Sequence, residues 1–142
     1  MTGNLARNWD VSYAAAYMDG KVLSGGTLLA GGGTSNAGKE MMIPKFSSSL
    51  WTVYRFGGGW EVGGGYNQAG TRWMNTANTG QVPGYTVLNA MVGYVQKSYD
   101  VRLNLYNLTD KTYYIAGYEN NPAFVLPGSP RMASLTLRHR FD

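Results

Sequence analysis

Hydrophobic and polar residues alternate along most of the chain. Trp9, Val11, Tyr13, Ala15 and Tyr17 interleave with Asp10, Ser12, Ala14, Ala16 and Met18. Successive strand side chains point to opposite faces, so this period of two predicts a strand with one apolar, aromatic face and one small or polar face. Asp19-Gly20 breaks the pattern, and residues 24–40, rich in Gly, Ser, Thr and Asn, predict a long loop. A second strand opens at Pro44 and runs through Leu50 to Phe56, closed by the turn signal Gly57-Gly58-Gly59. A third starts at Trp60, with Trp60, Val62, Gly64 and Tyr66 on one face and Glu61, Gly63, Gly65 and Asn67 on the other. A polar loop passes through Asn75, Asn78, Gly80 and Pro83 to a fourth strand over residues 85–95, which carries Leu88, Ala90, Val92 and Tyr94 on one face. After the short turn Gln96-Lys97-Ser98, a fifth strand sets Val101, Leu103 and Leu105 against Arg102, Asn104 and Tyr106. A loop over residues 116–130 holds Pro122, Pro127 and Pro130. The sixth strand, 132–141, sets Ala133, Leu135, Leu137, His139 and Phe141 against Ser134, Thr136, Arg138 and Arg140.

The pattern predicts an all-β fold, an antiparallel meander of about six long strands joined alternately by long polar loops and short turns. Transmembrane barrels have that asymmetry, with short periplasmic turns and longer extracellular loops. About ten residues per strand is the length that crosses the hydrocarbon at a barrel's tilt. Tyr and Trp near the strand ends suit a membrane interface, where one ring is half apolar and half wet. Alternation alone leaves a second arrangement open, a soluble all-β binding module whose apolar faces pack on each other.

Composition narrows the classes. Of 142 residues, 20 are Gly and 11 Tyr, and only 14% are charged, which fits turns and aromatic strands rather than helices. No run of 18 apolar residues predicts a membrane helix. With no Cys, there is no disulfide frame, zinc knuckle or thiol nucleophile. The net charge of +4 raises nucleic acid as a partner, but Arg7, Lys21, Arg55, Arg72, Arg102, Arg138 and Arg140 are scattered and form no basic tract. No apolar segment follows a basic start at Met1, so no signal peptide is predicted.

Nothing in the sequence argues for catalysis. His139 is the sole histidine and has no neighbours at metal-ligand or triad spacing. The glycines at 57–59 and 63–65 lack the following helix and Lys-Ser/Thr of a phosphate loop. Asn107-Leu108-Thr109 has the form of a glycosylation sequon, and shapes the backbone at a strand end. Arg102, Arg138 and Arg140 share the polar parity and read as a solvated, salt-bridged wall. Trp73, Tyr118 and Phe124 fall in long loops.

Three segments carry a resemblance. They are Pro83-Gly84-Tyr85-Thr86-Val87-Leu88-Asn89-Ala90; Leu103-Asn104-Leu105-Tyr106-Asn107-Leu108-Thr109-Asp110-Lys111-Thr112-Tyr113-Tyr114; and Pro127-Gly128-Ser129-Pro130-Arg131 followed by a strand ending in Arg140-Phe141. In order and spacing they resemble the C-terminal barrel strands of TonB-dependent siderophore receptors, and the likeness covers nearly the whole chain. It implies residues 1–142 as the C-terminal portion of such a barrel in the bacterial outer membrane, with no enzymatic activity and no cofactor. It also implies a ferric siderophore as cargo and coupling to the TonB complex through a plug domain. Further partners implied are the barrel-assembly machinery, which reads a terminal aromatic, and outer-membrane lipid. On that reading Arg102, Arg138 and Arg140 face the lumen and the plug, and Trp73, Tyr118 and Phe124 are loop aromatics near the ligand. Pro127, Gly128, Pro130, Arg131 and Phe141 form the terminal motif. Asp142 departs from the family, whose aromatic is usually last. Six strands fall short of the eight that the smallest membrane barrels use, and neither plug nor TonB box is present, so a fragment of a longer receptor or the product of a mis-started gene is expected. A porin or adhesin barrel is the alternative.

Overall fold

The computed structural model describes residues 1–25, 36–118 and 121–141, without the side chains of 118 and 121–123. Much of the loop expected over residues 24–40, and Asp142, lie outside the described residues. Seven strands form one antiparallel sheet: β1 (Thr2–Ala6), β2 (Trp9–Tyr17), β3 (Phe46–Arg55), β4 (Trp60–Ala69), β7 (Tyr85–Val95), β8 (Tyr99–Tyr106) and β11 (Met132–His139), neighbouring in that order. Two small hairpins sit in the loops, β5 (Arg72–Trp73) with β6 (Gln81–Val82), and β9 (Tyr114–Tyr118) with β10 (Asn121–Pro127). Among the described residues no helix is long and apolar enough to cross a membrane, which leaves a crossing by strands open.

The six expected strands are present, and β1 is a seventh. Thr2–Ala6 has no alternation of its own and is held by its ladder to β2, with a bulge between Asn4 and Ala6. The second strand begins at Phe46 rather than Pro44, which has no N–H to give to a ladder. The loop expected over residues 116–130 is largely the β9–β10 hairpin, and Pro127 ends β10 opposite Tyr114.

Register carries the alternation across the sheet. Directly opposed residues share a face, and Trp9, Tyr54, Val62, Val92, Leu103 and Leu135 form one continuous row. The next rows on that face include Trp60, Tyr94, Val101 and Leu137. No second layer covers them; Leu135 and Leu137 are each 71% exposed. The buried apolar residues of the sheet, Val87 and Met91, lie on the opposite face, which also carries Asn89, Arg102 and Asn104. A soluble protein has the reverse distribution, so the packed soluble module is excluded.

Aromatic rings gather on the apolar face at the end of the short turns. Tyr54 meets Trp9 and Phe56 edge-on at centroid distances of 6.1 and 4.8 Å. Tyr94 lies 4.8 Å from Trp60 and 6.2 Å from Tyr99, and His139 lies 4.5 Å from Phe141. At the loop end Tyr17 stands opposite Phe46. The eight steps from Trp9 to Tyr17 span roughly 26 Å at a strand's rise, close to the ~25 Å apolar band of a membrane barrel. Thr52 is a hydroxyl on this face; it donates to the Asp10 carbonyl at 3.0 Å and accepts from the Trp9 indole at 2.7 Å, so it is not left bare toward hydrocarbon.

Candidate functional site

Two constructions stand out: an ion ladder on the polar face near the short turns, and a stitched cluster of long loops at the other end.

The ladder begins at Asp10 on β2, whose Oδ2 lies 2.5 Å from Arg55 of β3. Arg55 faces Glu61 of β4 at 3.8 Å, and Glu61 Oε1 lies 3.0 Å from Arg102 Nε on β8. This last pair is a charge contact without hydrogen-bond alignment. It spans two strand spacings because the residue between them on β7 is Gly93, where a Cβ would sit 2.7 Å from the Glu61 side chain. Glu61 is only 5% exposed, and an unpaired carboxylate there would be costly. Asp100 collects Arg138 at 3.9 Å and Arg140 at 3.1 Å. Arg140 also donates to the carbonyls of Gln96 and Lys97, and so clamps the β7–β8 turn. All three predicted wall arginines are therefore on the polar face and ion-paired. The acids that hold them, Glu61 and Asp100, are separated from them by about 40 residues in sequence or are brought near by register, so no local spacing reveals the pairs.

At the loop end the three resemblance segments converge on one lock. Asn107 and Asp110 adopt left-handed backbone angles, φ 50° and 52°. The Asn107 side chain, in a residue 3% exposed, donates to the carbonyls of Lys111 at 2.9 Å and Ser129 at 3.1 Å and accepts from the Lys111 N–H at 2.9 Å. Its own N–H donates to Asn89 Oδ1 at 3.0 Å. Asp110 accepts from the Arg131 N–H at 3.1 Å and pairs with its guanidinium at 3.5 Å. Tyr113 lies against Tyr85 with centroids 4.5 Å apart and rings tilted by 45°, and is so close to Gly128 that a side chain there would meet its ring. Gly128 thus serves close approach rather than a left-handed turn. Asn107 uses its side-chain nitrogen internally, which explains the sequon as backbone chemistry. Asn107→Ala removes these bonds and puts a β-carbon residue without compensation at positive φ, for about 3 kcal/mol of lost stability. Limited proteolysis should then cut between residues 107 and 131 while the strands stay intact.

The remaining loops are joined at Glu40. Its carboxylate accepts from Lys45 Nζ at 2.6 Å and from the Trp73 indole N–H at 2.8 Å, and its backbone pairs with Lys21. A pocket of about 360 Å³ lies beside it, lined by Glu40, Lys45, Phe46, Arg72, Trp73 and Gln81. The bonds that join Glu40 to Trp73 and to Asn78 span more than 30 residues, so no local spacing reveals them. Phe124 is exposed on β10; the Tyr118 side chain lies outside the described residues. Among the described residues no three His, Asp or Glu side chains group as a metal site.

The Lys45 hydrogen bond, then the Trp73 indole, hold the Glu40 carboxyl below its usual range. The Glu40 hydrogen bond raises Lys45 above its own. A depressed carboxylate contributes stability above its ordinary value and loses it as pH falls through the lowered one. A raised lysine contributes fully below its ordinary value and loses it as pH rises through the raised one. Attachment of residues 36–45 is thus expected to be constant between about pH 5 and pH 10 and to weaken beyond either limit, as amide exchange corrected for intrinsic rate would show.

Residues 1–108 match the family described as TonB dependent receptor-like, beta-barrel. The probable TonB-dependent siderophore receptor PiuA of Acinetobacter baumannii is 27% identical over 98% of the chain and 20% of its own length. The metal-pseudopaline receptor CntO of Pseudomonas aeruginosa is 30% identical over 96% of the chain and 19% of its own. The crystal structure of PiuA superposes with a TM-score of 0.84 at 28% identity, over 96% of this chain and 20% of that one. That of the ferric-catecholate import receptor Fiu from Escherichia coli gives 0.76 at 27%, over 99% and 20%. The chain spans about a fifth of the length of the relatives it matches. The apolar face is accordingly the lipid face of a barrel wall, the polar face its lumen side, and the porin or adhesin alternative is set aside. Strand alternation, aromatic belt, loop lock and family match agree: the chain belongs to the TonB-dependent receptor β-barrel family, whose members are outer-membrane receptors and not enzymes.

Proposed function

We propose that residues 1–142 form the C-terminal sector of a receptor barrel that imports a ferric siderophore across the outer membrane, driven by the TonB complex through a plug domain. The observation that carries this reading is the likeness to PiuA over nearly the whole chain in both sequence and fold. The sector contributes seven strands of wall and three long loops, and performs no covalent chemistry. Arg138, the most exposed of the lumen arginines, is available to the plug beyond its 3.9 Å contact with Asp100, while Arg102 and Arg140 are more fully engaged. Phe124 and Tyr118 are proposed as ligand-proximal loop aromatics; Trp73 offers only its ring face, since its nitrogen is committed to Glu40. Phe141, ending the apolar row, is proposed as the residue read by the barrel-assembly machinery. A second cargo, a metal chelate of the kind named for the metal-pseudopaline receptor, is favoured by the 30% identity to that protein.

The test is uptake in a receptor-deficient strain starved of iron. The complete receptor containing this sector should restore TonB-dependent uptake of radioactive iron supplied as a siderophore chelate. The 142 residues alone should not. Rescue by the 142 residues alone, or uptake by the complete receptor that persists without TonB, would contradict the proposal. Uptake of nickel or zinc chelates but not of iron would move it to the second cargo.

A further inference from the structure

Membrane barrels need no buried core in their loops, yet this sector has one. Of the four buried apolar residues among those described, Met74 and Val82 lie in the loop between β4 and β7, and Val82 is 1% exposed. This middle loop is tied to both neighbours. Toward the β8–β11 loop, Arg72 donates to the Tyr114 carbonyl at 3.0 Å, and Met74 packs against Gly117, where a Cβ would come within 3.0 Å of its Cε. Toward the β2–β3 loop, three hydrogen bonds of the middle loop converge on one residue, Glu40. Trp73 donates to its carboxylate, and Asn78 accepts from its backbone N–H at 2.8 Å and donates to its carbonyl at 2.9 Å. Asn78 can offer both ends of its amide because it is held at φ 57° in a turn closed by Asn75 and Thr79. The Glu40 side chain is in turn fixed by Lys45, at the root of its own loop.

We propose that Glu40 is a joint that makes residues 36–45 of the first loop move as one body with the described residues of the other two loops, so that contact with any one is transmitted to the others. Trp73 is then a positioning residue, whose indole N–H couples the middle loop to its neighbour. The arrangement has physical content because its parts are unequal. The middle and last loops share buried apolar surface, which separates only with loss of packing. The first loop is attached by hydrogen bonds and one carboxylate, which exchange readily with water. The charged groups around the joint are Lys45, Lys21 and Asp19. The proposal does not depend on what the barrel carries.

Hydrogen exchange on the complete receptor in detergent tests it. Trp73→Phe keeps the ring and removes the donor. Glu40→Gln keeps the shape and every backbone bond, and removes the charge. Each should accelerate exchange of residues 36–45 by roughly 5- to 30-fold, the factor that corresponds to about 1–2 kcal/mol, and leave β3, β4 and β7 unchanged. The double variant should fall short of the product of the two single effects, since both act on the Trp73–Glu40 bond, which Trp73→Phe removes and Glu40→Gln weakens. Acceleration confined to residues 72–74, additive effects in the double variant, or no change in residues 36–45 would each overturn the proposal. Should Trp73→Phe fail to assemble, the Glu40→Gln result alone decides.

Discussion

Valine in place of Gly65 leaves the barrel unable to assemble. Gly65 lies on β4, hydrogen-bonded to β3 on one side and β7 on the other. A Cβ there would run into the Leu50 carbonyl and sit 2.9 Å from Cε3 of Trp51, whose indole lies along the lumen wall over Gly63 and Gly65. The ring could swing into the lumen, but the carbonyl belongs to the ladder and cannot yield without opening it. Overpacking alone costs about 1–3 kcal/mol, and a backbone collision in a central strand adds the loss of pairing. The heat-modifiable band of the folded barrel should vanish from an unboiled gel. Gly64→Val is the control. It points to the lipid face, where the nearest heavy atom to a Cβ is 3.7 Å away, and an added apolar side chain there meets lipid. Equal damage from the two substitutions would show that packing on the lumen wall is not the cause.

The second large effect is a charge on the lipid face. Leu135→Arg should destabilise the barrel by about 2–4 kcal/mol in a phospholipid bilayer, the cost of arginine near the midplane on a barrel's outer surface. Ser134→Arg, one residue away on the lumen face opposite Asn104, should cost less than about 1 kcal/mol. Urea unfolding in lipid vesicles measures both. In a sheet wetted on both faces, Leu135→Arg would be neutral or favourable, because it would cover an exposed apolar residue with a charge.

The alternation made the fold legible because it is a local property. Each of β2, β3, β4, β7, β8 and β11 carries its own two-residue period, and the loops between them break it with Gly, Asn and Pro. Thr2–Ala6 was invisible for the opposite reason: it is a strand only because β2 offers it a ladder. The β9–β10 hairpin was hidden by prolines at 122 and 127, which usually argue against strands but are tolerated at edges and ends. Of the site, the resemblance segments pointed to the residues of the loop lock, and the structure supplies the reason they go together: Asn89, Asn107, Tyr113 and Ser129 are within bonding or packing reach of one another. The joint at Glu40 and the reach of Glu61 past Gly93 to Arg102 left no trace in the sequence. Glu40 lies 33 residues from Trp73 and 38 from Asn78, and nothing local encodes such a pairing.

One side of the sheet touches acyl chains and the other touches water. Nitroxide labels placed singly at positions 133 to 138 of the complete receptor in bilayers read it directly. Accessibility to oxygen, which concentrates in lipid, should peak at 133, 135 and 137, and accessibility to a water-soluble nickel chelate, where the packed lumen admits it, at 134, 136 and 138. Oxygen and nickel accessibilities that rise and fall together along the strand, or oxygen maxima at the even positions, would contradict the account.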